Sequence, residues 1–276
     1  MKTRAFGPLA SQVPVIGLGT WHMEGDDRTT AIDAIHHAIE LGMTHIDTAE
    51  LYGSGKVESL VGEAITGRRD RVFLVSKVLP SNASFAGTQR ACEASLRRLG
   101  TDHLDVYLLH WRGDIPLEET IRGFETLRLA GKIRAWGVSN FDDQDLEEAL
   151  RIAGPGAITC NQVLYHLRER SIEHRVIPWC VKHGVAVVAY SPFGSRNGFP
   201  RSPVLEAIAA RMHATPRAIA LAFLAQRGSA FVIPKSAHPR HIAELAAADR
   251  VVLDDRAVAE LDAAFATGPW RGLPTL

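Results

Sequence analysis

Four residues carry chemistry that their neighbours do not explain. Asp47, Tyr52, Lys77 and His110 each stand at or just past the end of a short apolar run, in HIDTAELYG (45–53), VSK (75–77) and LLHW (108–111). A fourth segment, IPKS (233–236), adds a cationic anchor at Lys235 beside Ser236. Reducing a carbonyl takes a hydride at carbon and a proton at oxygen, and proteins leave the hydride to a cofactor. Tyr52 is the candidate proton donor. A free phenol titrates near pH 10, high for proton exchange at neutral pH, and an ammonium alongside would pull it down. Lys77 is that ammonium, Asp47 is its counter-charge, and His110 can orient the carbonyl or assist the proton transfer. A lysine-serine pair near the end of the sequence suits a phosphate. Together these parts point to a nicotinamide-dependent carbonyl reductase.

Taken singly, each residue has a blander role. Asp47 fits a turn, Tyr52 a half-buried loop, Lys77 a surface strand end and His110 a satisfied core histidine. Their joint order along the chain makes the catalytic reading the stronger one.

Something must bring them together. Apolar runs rich in Val, Ile and Leu recur at 15–19, 43–47, 72–77, 104–110, 133–139, 157–162, 186–190 and 230–234, the pattern of strands buried on both faces. Amphipathic stretches at 29–41, 84–99, 117–130 and 142–153 alternate with them. Gly42, Gly100, Gly131 and Gly154 serve as stops and Asp142 as an N-cap. Eight strands alternating with helices fold as an open doubly wound sheet or as a (β/α)8 TIM barrel. The barrel is favoured. Asp47, Lys77, His110, Ser139, Gln162, Tyr190 and Lys235 lie at the ends of seven successive strands, and only a barrel gathers all such ends at one mouth. Gly17-Leu18-Gly19 is a fragment of a dinucleotide fingerprint, not GxGxxG. A short hairpin at residues 2–13 is expected to close the barrel's bottom, and residues 1–276 read as a single domain.

Composition narrows the partners. The chain has 276 residues, 46% hydrophobic and 22% charged, with net charge +0, which disfavours nucleic acid and membrane surfaces. No run approaches a membrane span. Three cysteines without a CxxC suggest a reduced, cytoplasmic protein, and the first residues lack the apolar stretch of a signal peptide. The match to a glycosylation sequon at Asn82 is read as accidental. GSGK (53–56) is not a P-loop, since Glu50 and Val57 stand where glycine and Ser/Thr are needed. Twelve histidines show no metal-ligand spacing, so no metal is expected. A monomer is the default expectation.

GLGTW (17–21), DTAELYG (47–53), SK (76–77), LLHW (108–111), GKIRAWGVSNF (131–141), NQVLYH (161–166), YSPFG (190–194) and IPKS (233–236) together resemble the aldo/keto reductase superfamily over nearly the whole chain. ELGMTHIDTAE, RVFLVSKV, ACEASLRRL and IPWC (177–180) are similar to bacterial methylglyoxal-reductase-type members. The resemblance implies a (β/α)8 barrel binding NADPH in extended form, and the tetrad Asp47, Tyr52, Lys77 and His110 with Tyr52 as general acid. It implies that Ser139, Asn140 and Gln162 bond the nicotinamide carboxamide, that Tyr190 stacks on the ring and that Ser191, Pro192, Phe193 and Gly194 follow the pyrophosphate. Gly19, Thr20, Trp21, Asp47, Ile233 and Pro234 would border the cofactor, with Lys235 and Ser236 on the 2′-phosphate. Phosphate sites of barrels often lie after the seventh and eighth strands, where these segments fall.

One stretch departs from the family pattern. After IPKS the family has arginine, then Glu and Asn three and four residues on; this chain has His241, Glu244 and Leu245. Imidazole is a weaker phosphate ligand than guanidinium, and leucine cannot bond adenine. NADPH preference then rests on Lys235, NADH use is possible, and Arg240 is a potential substitute. Trp21, Tyr52, His110 and Trp111 would line the substrate pocket for a small carbonyl compound. The tail 268–276 would be a lid, or be anchored by Trp270. Short loops after His110 and Tyr190 imply an open, shallow site. Two alternatives remain: a non-catalytic, cofactor-sensing barrel of the channel β-subunit type, against which the intact tetrad and the lack of an N-terminal extension argue, and a Schiff-base enzyme using Lys77.

Overall fold

The computed structural model describes residues 1–194, 198–227 and 230–276. The chain opens with an antiparallel hairpin, β1 (Thr3–Phe6) and β2 (Leu9–Pro14). Eight parallel strands follow: β3 (Leu18–Gly19), β4 (His45–Asp47), β5 (Phe73–Val78), β6 (Leu104–Leu109), β7 (Ile133–Ser139), β8 (Ile158–Leu164), β9 (Ala186–Tyr190) and β10 (Phe231–Ile233). Each pairs with its neighbour in chain order. Helices cover the outside: α1 (Arg28–Glu40), α2 (Lys56–Ala64), α3 (Phe85–Leu99), α4 (Leu117–Leu129), α5 (Asp143–Ala153) and α6 (Val176–His183), then α7 (Pro203–Arg211) with α8 (Pro216–Arg227), and α9 (Pro239–Ala247) with α10 (Asp255–Ala264). The (β/α)8 barrel and the N-terminal hairpin are both as expected.

The expected helix signals operate. Asp142 caps α5 by accepting from the backbone amides of Gln144 and Asp145, and Asp145 reaches back to complete a capping box. Ser84 caps α3, and Gly100 ends it in the left-handed region. The first strand is shorter than its apolar run suggests. Val15 to Gly17 close the barrel through separate backbone bonds instead: Val232 N to Val15 O, 2.8 Å, and Gly17 N to Val232 O, 2.9 Å. Glycine is required here. A Cβ at Gly17 would sit 2.5 Å from the His45 carbonyl oxygen, and one at Gly19 2.7 Å from that of Ile233.

Alternation along the strands decides what faces the barrel axis. Phe73 and Val75 of β5, Val106 and Leu108 of β6, Cys160 of β8, Ala186 and Val188 of β9, and Phe231 and Ile233 of β10 form an interior cluster with Phe6 and Val13 of the hairpin. The opposite row packs outward under the helices, including Leu74, Tyr107, Leu109, Trp136 and Val138. Phe6 plugs the bottom, its ring 5.0 Å from that of Phe73 and 4.8 Å from that of Phe231. Continue the inward rows by two residues at the other end and they reach Lys77, His110, Gln162, Tyr190 and Lys235. Among the described residues no helix is long and apolar enough to cross a membrane.

Candidate active site at the barrel mouth

Lys77 organises the site. Its side chain is fully buried, and its three N–H groups are all committed: to Asp47 Oδ1 at 2.6 Å, the Thr48 carbonyl at 2.8 Å and Tyr52 Oη at 3.0 Å. Tyr52 reaches it because residues after β4 turn back through a short helical turn, Tyr52–Gly55, with Gly53 at φ 55°. The other Asp47 oxygen accepts from Gln162 Nε2 at 2.7 Å, and the Asp47 carbonyl accepts from Thr20 Oγ1 at 2.8 Å. His110 stands edge-on to Tyr52, ring centroids 5.9 Å apart.

Burial holds the Asp47 carboxyl above its ordinary value, although the Lys77 ammonium and the Gln162 amide pull it back down. Burial also presses on Lys77, and the Asp47 and Tyr52 charges more than offset it, so the lysine is held above its usual range. A buried ion pair at 2.6 Å with every donor used is charged at neutral pH. For Tyr52, burial wins: the phenol lies above its ordinary value, although Lys77 pulls it down. The expectation of a net lowering by Lys77 is therefore corrected, because the site that brings the lysine close also removes water. Burial, reinforced by Lys77, drives His110 down to about 2. Its ring is neutral, with Nδ1 buried and unpartnered.

Around the tetrad lies a cavity of about 1090 Å³. Gly19, Thr20, Trp21, Asp47, Tyr52, His110, Trp111, Ser139, Asn140, Gln162, Tyr190, Ser191, Pro192, Phe193, Gly194, Ile233 and Lys235, all named from the sequence, line it. The site is not shallow: its floor reaches Asp47 and Gln162, which are 1% and 2% exposed. The strand ends supply the depth that short loops could not. Of the loop after β9, residues 195–197 lie outside the described residues.

Several side chains have partners that the sequence did not suggest. Gln162 holds Asp47, and its carbonyl accepts from Ser139 Oγ at 2.9 Å. Asn140 donates to the His110 carbonyl at 3.1 Å and accepts from Tyr190 Oη at 2.8 Å. Asn140 and Ser191 take left-handed backbone conformations at φ 58° and 48°, strain of the kind that collects at functional sites. Pro234, Ser236, His241 and Glu244 do not line the cavity. Pro234 and Ser236 are buried, and Ser236 Oγ is bonded to its own loop at His238. His241 and Arg240 are exposed, while Leu245 is part of the core.

Sequence reasoning missed His22, Leu51 and Arg112, each the chain neighbour of a residue that was named. The tail lies at the site and is anchored there. Trp270 packs half-buried against the core beneath the Arg175 guanidinium, and Thr275 with Leu276 line the cavity. Among the described residues no three His, Cys, Asp or Glu cluster as metal ligands do. A Schiff base at Lys77 is disfavoured, since its nitrogen is a fully bonded ammonium without a free lone pair.

Comparison with known proteins agrees with this geometry. Residues 15–266 match the model of the aldo/keto reductase family. Methylglyoxal reductase YeaE of Escherichia coli is 45% identical over 259 residues, 92% of this chain and 91% of that protein. A crystal structure of an aldo/keto reductase from Klebsiella pneumoniae in complex with NADP and acetate superimposes with a TM-score of 0.93 at 44% identity, covering 100% of this chain and 99% of the other. A second Klebsiella pneumoniae structure, in complex with NADPH, has a TM-score of 0.92 at 45% identity, with 100% and 99% covered. The chain belongs to the aldo/keto reductase family and is an oxidoreductase acting on carbonyl groups.

Proposed function

We propose that the protein reduces small aldehydes and dicarbonyls, such as methylglyoxal, to alcohols with NADPH, and that Tyr52 donates the proton. One observation carries the assignment of the acid. Lys77 donates to Tyr52 Oη, so that oxygen is an acceptor there and its own hydrogen is free to point into the cavity. His110, held neutral, is a poor acid at working pH but a competent hydrogen-bond donor to a carbonyl oxygen. Transfer of the Tyr52 proton leaves a phenolate 3.0 Å from an ammonium, which stabilises charge where it develops.

The residues present fit a nicotinamide nucleotide. Asn140, Gln162, Tyr190, the Ser191–Gly194 turn and Lys235 all line the one cavity, offering amides, an aromatic ring and an ammonium to it. When bound, the reduced nicotinamide supplies the hydride. Ser139, Asn140 and Gln162 would hold its carboxamide, Tyr190 its ring and Lys235 the 2′-phosphate. Trp21, Leu51 and Trp111, 39%, 42% and 38% exposed, give the cavity an apolar rim that suits small carbonyl compounds. A cytoplasmic monomer is the accompanying reading, and three free, buried thiols support its reducing compartment.

The test follows oxidation of NADPH with methylglyoxal and a panel of small aldehydes, repeated with NADH. Turnover with NADPH is expected. Nucleotide binding without turnover on any carbonyl would favour the cofactor-sensing alternative, and no binding of either nucleotide would remove the cofactor from the account.

A further inference from the structure

Lys235 is already engaged. Its Nζ lies 2.5 Å from Asp26 Oδ2, a partner 209 residues away in sequence. Asp26 is not a loose surface residue. Its backbone N–H bonds the Met23 carbonyl at 3.2 Å, which ends the short helical turn Met23–Gly25. The next residue, Asp27, caps α1 through Thr30, and that bond holds its carboxyl below its usual range. Asp26 thus holds its carboxylate where the β3–α1 loop meets the end of β10. The side chains of Lys235 and Asp26 are 33% and 25% exposed, open enough to exchange partners.

We infer that Asp26 is a cofactor-specificity residue: its carboxylate competes with the adenosine 2′-phosphate of NADPH for the Lys235 ammonium. The inference rests on the cofactor reading above. Binding NADPH would require Lys235 to leave or share Asp26 and would bring a phosphate, with a charge of roughly −1.5 to −2, beside that carboxylate. NADH presents a neutral hydroxyl at the same place and leaves the ion pair intact. Asp26 therefore disfavours one nucleotide and not the other. Little nearby offsets this. His241 replaces the family's arginine, and Leu245 is buried in the core where an amide could have met the adenine. Lys235 is the one cation of the 235–241 segment that lines the cavity.

The test titrates wild type, Asp26→Asn and Asp26→Ala with NADPH and NADH by fluorescence. Both variants should bind NADPH about fivefold more tightly, with NADH little changed, so the ratio of the two Kd values rises. The gain should shrink as salt screens the charges. An unchanged ratio, or weaker NADPH binding in both variants, would overturn the inference and show that Asp26 merely holds Lys235 in place. If wild type binds neither nucleotide, the cofactor reading itself fails and this one falls with it.

Discussion

The barrel holds two buried histidines, one at each end, and their surroundings differ. His45, at the bottom, sits in an aromatic box, edge-on to Phe6 and Phe73 at 5.5 Å each, with neither ring nitrogen bonded. His110, at the top, faces a cavity beside Tyr52 and Trp111. Burial, with Lys77 adding to it, keeps both neutral, at about 3 and about 2. Identical chemistry in the side chain thus gives packing at one end and a neutral ring facing a cavity at the other. The difference lies in the closure. Phe6 plugs the bottom with apolar surface, whereas the top ends its inward rows in polar residues, with Lys77, Asp47 and Gln162 bonded in series. On the proposed function, stability lies below and chemistry above, the usual division in barrels of this kind.

Breaking the top should cost both properties. Lys77→Met removes one partner of a buried ion pair, and unfolding experiments in urea should show a loss of about 3–5 kcal/mol. Turnover should fall by about 10³-fold through the loss of a stabilised Tyr52 phenolate. Breaking the bottom should cost only one. Phe6→Ala opens a cavity worth about 3–5 kcal/mol, while turnover per folded molecule is unchanged. If Phe6→Ala damaged turnover as much as stability, the division between the ends would be wrong.

Acid should sharpen the comparison. A histidine in the unfolded chain takes its proton near pH 6.5, whereas buried His45 does so only near 3. Between those values the unfolded state binds the extra proton. The stability contributed by neutral His45 is complete above pH 6.5 and is lost as the pH falls toward 3, by up to about 1.4 kcal/mol per pH unit. His45→Leu should flatten the acid limb of stability against pH by about one proton; an unchanged slope would place the proton elsewhere. The smallest effect belongs to Lys235. Lys235→Met should weaken NADPH binding about tenfold and leave NADH nearly untouched, as read by titration.

Much of this was legible in the sequence, for a definite reason. A barrel strand alternates inward and outward, so an apolar run that ends in Lys77 or His110 announces where that residue points. Seven such endings pointed to the barrel and its mouth, whereas Tyr52, in the loop after β4, joined the set through its chemistry and the family resemblance. What stayed hidden depends on contacts between distant segments. Nothing near Gln162 signals that its amide would support Asp47, and nothing near Asp26 signals Lys235. The brevity of β3 follows from how closely Gly17 and Gly19 approach the neighbouring strands, which is a property of the closed barrel. The upward shift at Tyr52 needed the degree of burial, which no motif encodes.

The central claim is that Tyr52, with its oxygen held by Lys77 and beside a neutral His110, is the proton donor. The most direct measurement is the turnover of Tyr52→Phe with methylglyoxal, alongside its affinity for NADPH. The phenol's loss should leave NADPH binding intact and lower kcat by about 10²- to 10⁴-fold. Turnover close to that of the wild type would contradict the account and require another acid at the mouth of the barrel.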